Sequence, residues 1–137
     1  MFGIDPVATL SHILAQIQAT IMPVFTPPPP QLREVGVASF SSGIGAMKAF
    51  IASMRPSGLL REIIDFDSPH IVGMPAELTV TPGAVSSCYT QRSRPNPPPG
   101  YRYMAPGSFA RLTSFTDPHA CIGWMMYYTA MLTSSIG

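Results

Sequence analysis

Sixteen prolines in 137 residues constrain this chain more than any other feature. Proline fixes φ and has no backbone N–H, so a run of prolines is neither helix interior nor central strand. The two runs in "TPPPPQ" (26–31) and "NPPPGYRYMAPG" (96–107) are therefore read as polyproline II. The first covers about 12 Å at roughly 3.1 Å per proline and is a spacer between helices. The second carries aromatic and sulfur side chains at its end. A polyproline rod loses little entropy on ordering, so Tyr101 and Tyr103 are expected to anchor on a partner while Arg102 meets an acid or a lipid phosphate. Residues 98–101, "PPGY", also match the short PPxY ligand of WW domains, which gives the alternative of an adaptor.

Between these punctuations the chain shows three helical patterns. In "IDPVATLSHILAQIQATIMP", Asp5 is an N-cap, Pro6 takes the first helical position and Pro23 ends the run. Leu10, Leu14, Ile17 and Ile21 fall on one apolar face, so an amphipathic helix is expected over 6–22. "FTDPHACIGWMMYYTAMLTSSIG" repeats the Asp-Pro start at Asp117 and Pro118, giving a C-terminal helix over about 118–134.

The middle pattern is the longest. Val37, Phe40, Ile44, Met47, Ile51 and Met54 step by three and four residues. Ser41, Gly45, Ala49 and Ser53 recur every fourth residue, the small-residue stripe through which membrane helices pack closely. Val35 to Met54 is 20 residues, matching the roughly 30 Å bilayer core, with Lys48 near enough to the end to snorkel. The expectation is a transmembrane helix over 35–54.

Composition points the same way. Only 11% of residues are charged, against roughly 25% in ordinary soluble proteins. A surface so poor in charge suits contact with lipid or with other subunits. Net charge is +1, which gives no general attraction to nucleic acid. Locally, Arg61 is outnumbered by Glu62, Asp65, Asp67 and Glu77, whereas Arg92, Arg94, Arg102 and Arg111 stand among no acids. Those four arginines are the candidate contacts to acidic subunit surfaces or to anionic headgroups such as cardiolipin. No secretory signal is read in the first residues.

Chemistry is sparse. His12, His70 and His119 have no ligand spacing, and His119 with Cys121 is too few ligands for zinc. His12 four residues after Ala8 resembles a pigment-ligating pair but is better read as a hydrogen-bonded helix histidine. "SGIGAMK" lacks the GxxxxGK[ST] spacing of a phosphate loop. Glu62, Asp65 and Asp67 have no nucleophile or metal near them in sequence and read as a solvated or subunit-facing acidic stretch. Cys88 and Cys121 allow at most one bridge.

The sequence thus predicts a mainly α chain with long extended, proline-rich segments and no self-contained globular core. Residues 56–116 would be an extended partner-binding arm, with a short amphipathic helix in "SGLLREIIDF", one short strand in "AELTVTPG" and loop throughout 88–116. The functional expectation is a non-catalytic accessory subunit of a large membrane-bound complex, with no cofactor or metal. A mitochondrial inner-membrane respiratory or ATP synthase assembly comes first. A photosynthetic subunit and a virion structural or cementing protein are the alternatives.

Overall fold

The computed structural model describes residues 5–21, 28, 30–68, 81–91, 93, 96–97, 100–103, 117 and 119–124. The chain orders as α1 (Pro6–Ile21), β1 (Val35–Phe40), α2 (Ile44–Met54), β2 (Leu60–Phe66), β3 (Val85–Thr90) and β4 (Tyr101–Tyr103). All three strand pairings are parallel, and the sheet order β1-β2-β3-β4 follows the chain. This is an α/β architecture, and the expectation of a mainly α, non-globular chain is corrected. The 56–116 arm contributes three of the four strands, so 88–116 is not loop throughout.

The expected membrane helix is the largest correction. Residues 35–54 divide into a strand, a 3-10 turn at Ser41–Gly43 and a helix of 11 residues. At 1.5 Å per residue α2 is about 16 Å long, half of a bilayer core. Among the described residues no helix is long and apolar enough to cross a membrane. The physical reason lies in "VGVASF": β-branched Val35 and Val37 lose rotamer freedom in a helix, and Gly36 weakens one further. In a strand the same residues alternate, with Val35 and Ser39 buried and Gly36 and Ala38 exposed. Ile44, Met47, Ile51 and Met54 do form a helix face, and it is buried in protein.

β2 is the central strand. Its residues from Glu62 to Phe66 are all buried, as expected for a parallel strand covered on both faces. On one face Leu60 and Ile63 join Val35, Cys88 and the buried face of α2, with Val7 and Leu10 of α1 against them. On the other, Ile64 and Phe66 pack with Cys121 and Ile122 of a helical segment at 119–124. A register slip between Val35 and Gly36 leaves Arg61 without a partner on β1 and lets Leu60 and Ile63 share a face. Cys88 and Cys121 belong to opposite faces and do not bridge.

Both Asp-Pro starts cap helices. Asp5 Oδ1 accepts from the N–H groups of Val7 and Ala8, and Asp117 Oδ1 accepts from His119 N–H. α1, however, packs through Val7 and Leu10, whereas Ile13, Ile17 and Ile21 stay exposed. The C-terminal helix is described only over 119–124. The spacer prolines 27 and 29 and the PPGY prolines 98 and 99 lie outside the described residues. Gly100, the residue after them, is held at φ 81°, and a Cβ there would fall 2.1 Å from the Ser86 carbonyl oxygen. Its own carbonyl accepts from Cys88 N–H at 2.8 Å, so this glycine admits the chain to β4.

Candidate ligand site at the carboxyl edge of the sheet

In open α/β sheets, ligands bind outside the carboxyl ends of the strands where the strand order reverses; the order here does not reverse, so this edge is singled out by its residues. That edge here is built from the β1–α2 turn "SSGIG", the end of β2 "DFDS" and the end of β3 "YTQ". Two residues at the edge hold left-handed backbone although neither is glycine: Ser41 at φ 53°, directly after β1, and Asp67 at φ 50°, directly after β2. Such conformations cost about 1–3 kcal/mol and concentrate at functional sites.

On the α2 face, Ser39, Asp65 and Cys88 lie side by side across three strands. Asp65 is 2% exposed, and its Oδ2 accepts from Ser68 Oγ at 2.6 Å and from the Cys88 thiol at 3.5 Å. Ser39 Oγ is buried and makes no hydrogen bond among the described residues. Gly43 closes over it, for a Cβ on Gly43 would stand 3.5 Å from Ser39 Cβ. Gly45 differs: among the described residues no atom outside its chain neighbours and its own helix backbone lies within 4 Å of the Cβ it lacks, and its φ is not left-handed. Neither packing among the described residues nor backbone geometry requires that glycine.

At the end of β2, between the two faces, Asp67 collects four donors. Thr90 Oγ1 and Gln91 N–H donate to Oδ1 at 2.7 and 3.1 Å; Gln91 Nε2 donates to Oδ2 at 2.9 Å. His119 Nδ1 meets Oδ2 at 2.6 Å. A carboxylate offers about four acceptor positions, so Asp67 is saturated. Burial pushes its carboxyl up, but the bonds from His119, Thr90 and Gln91 outweigh this and hold it below the usual carboxylate range. The His119 ring is one-third exposed and stacks on Phe40 at 4.6 Å. Gly123, one turn along, lies so close to the Phe40 ring that a Cβ would come 2.8 Å from its Cζ.

The residues expected to act lie elsewhere or act differently. Gly45, Ala49 and Ser53 face outward on α2 and Ser41 is half-buried, so the small-residue stripe meets no second helix among the described residues. Arg102 and Tyr103 are exposed on β4, with Tyr101 before them in the strand. Arg92, Arg94 and Arg111 are outside the described residues, as is His70; His12 is exposed on α1. Asp65 and Asp67 are not a solvated acidic stretch but buried centres of hydrogen bonding. Their significance was hidden because it depends on β2 being the middle strand, and His119 reaches Asp67 across 52 positions of sequence.

The fold and edge define a parallel α/β chain with a polar, glycine-bearing carboxyl edge. Comparison with known protein families, with curated proteins and with solved structures gives no match to it. Among the described residues no group of three His, Cys, Asp or Glu side chains is gathered to hold a metal ion.

Proposed function

We propose that this chain binds a small ribonucleoside-type molecule at the carboxyl edge of β1 and β2, on the α2 face. The observation that carries the reading is Gly45. A glycine in a helix weakens it by about 0.5–1 kcal/mol, and among the described residues nothing occupies the space gained. Such space lets a ligand approach the backbone, as in sheets whose first strand-to-helix turn bears glycines. In those sheets an acid about 20 residues on, at the end of the second strand, accepts the ribose hydroxyl. Asp65 lies 20 residues after Gly45, beside the Ser39 hydroxyl that makes no hydrogen bond among the described residues. Ser68 covers Asp65 and is the group a ribose hydroxyl would replace.

The ligand is read as lacking a polyphosphate. The third glycine of the dinucleotide pattern GxGxxG is Lys48 here, and two carboxylates share the edge. Calorimetric titration of the full chain with adenosine, guanosine, S-adenosylmethionine, ATP and the 2′-deoxynucleosides tests this. A ribose form that binds at least tenfold tighter than its deoxy counterpart, and weakens in Asp65→Asn and Gly45→Ala, is the expected result. Equal binding of ribose and deoxyribose forms, or none by any member, overturns it.

A second reading, assembly with other subunits, is favoured by the α1 ridge. Ile13, Ile17 and Ile21 follow one another every fourth residue and are 42, 48 and 72% exposed. It is proposed here without a membrane span in the described residues. A native gel of source material tests it: the chain should run within a larger species and lose it on Ile17→Lys.

A further inference from the structure

We infer that the opposite face of the same edge is a hydrolytic site for small carboxylic esters, with Ser41 as nucleophile, His119 as general base and Asp67 as positioning residue. The inference goes beyond the ligand reading and does not depend on it.

Three observations converge. Ser41 sits on a strand-to-helix turn with left-handed backbone, two residues before Gly43, so the turn reads Ser-x-Ser-x-Gly. A sharp turn of this kind lifts a serine above the end of a parallel sheet, in the pattern of the nucleophile elbow. Next, Asp67 holds His119 by Nδ1, which fixes the tautomer and leaves Nε2 to take a proton. The carboxylate is itself fixed by Thr90 and Gln91, so the imidazole has one orientation. Finally, Phe40, the residue before Ser41, carries that imidazole on its ring. Serine, aspartate and histidine follow in the chain order that the elbow arrangement uses.

The reaction balances with water alone. Ser41 Oγ attacks the ester carbonyl as its proton passes to His119 Nε2, and the backbone N–H of Ser42, the residue after the nucleophile, is the donor assigned to the developing oxyanion. The C–O bond to the alcohol breaks, and the alkoxide takes the proton from the imidazolium. Water then attacks the acyl-serine with His119 as base, releasing the acid and restoring Ser41. Ser41 Oγ and His119 do not hydrogen-bond to one another in the structure; such bonds commonly tighten only with substrate bound.

The test is labelling of the full chain with an alkyl fluorophosphonate, read by intact mass and peptide mapping, with p-nitrophenyl acetate hydrolysis alongside. The expected result is one adduct, on Ser41, absent in Ser41→Ala and retained in Ser53→Ala. His119→Phe keeps the stack on Phe40 but removes the base, and should slow labelling by about 10²–10⁴-fold. Asp67→Asn, checked for folding by circular dichroism, should lower kcat for the acetate and leave KM unchanged, as a positioning role requires. No adduct on folded protein, an adduct that survives Ser41→Ala, or an unchanged rate in His119→Phe overturns the assignment. Labelling uses no nucleoside, so either proposal can fail alone.

Discussion

Asp67→Ala is the perturbation with the best-defined consequence for stability. The side chain is fully buried and accepts four hydrogen bonds, two from Gln91, one from Thr90 and one from His119. Bonds to a charged acceptor contribute about 1.5–3 kcal/mol each, but they do not simply add. His119 is one-third exposed and can turn to water, and the Gln91 side chain can rotate. The Gln91 backbone N–H cannot. Leaving the Thr90 hydroxyl and the Gln91 N–H without an acceptor costs about 1–3 kcal/mol each, so a loss of about 4 kcal/mol is expected, a large share of a typical 5–15 kcal/mol. With a urea slope near 1.5 kcal/mol per molar, the midpoint should fall by about 2–3 M. Asp67→Asn keeps the shape and one acceptor oxygen, and should lose roughly half as much. Acid adds a second reading. A carboxyl held below its ordinary value contributes stability above the unfolded pKa of about 3.9 and loses it as pH falls through the folded value. Wild type should therefore lose stability steeply below about pH 4, and Asp67→Asn should not show that component. A loss under 1 kcal/mol in Asp67→Ala, measured by urea denaturation followed by circular dichroism, would refute the reasoning.

Gly45→Ala should raise stability by about 0.5–1 kcal/mol in the same assay while weakening the nucleoside ligand, because the added methyl fills only the empty space. Gly100→Ala should cost at least about 2 kcal/mol, since the methyl meets the Ser86 carbonyl and the backbone is left-handed; unchanged denaturation would contradict the β3–β4 pairing. Glu34→Gln should change stability by less than about 0.5 kcal/mol, because the 3.7 Å pair with Arg61 is some 40% exposed on both sides. High salt should leave that result unaltered.

The parts of the fold legible in the sequence are those governed by local chemistry. Asp5-Pro6 and Asp117-Pro118 mark caps because one carboxylate and an N–H two or three residues on make the whole signal. Residues 35–54 misled for an equally local reason. Val37 and Phe40 fall in step with the true helix positions Ile44, Met47, Ile51 and Met54, so a strand and a helix joined by a short turn imitate one long helix. "LREIIDF" is a short apolar run, which periodicity alone cannot assign to strand or helix. Once β1 and β2 were missed, the glycines of "SSGIG" had no strand before them and the acids had no sheet edge to stand on. The candidate site was thus present as residues and absent as geometry.

The order of strands in the sheet has a kinetic consequence. Because β1, β2, β3 and β4 neighbour one another in chain order, each strand finds its place already built by the one before, and none must be threaded between two others. A chain emerging from its N-terminal end can therefore extend its sheet as it lengthens. The three-residue β4 joins last among the strands, and its amides should exchange soonest. The helical segment at 119–124 follows later still, so β2 must wait, with half its surface open, until His119 reaches Asp67 and closes the second face.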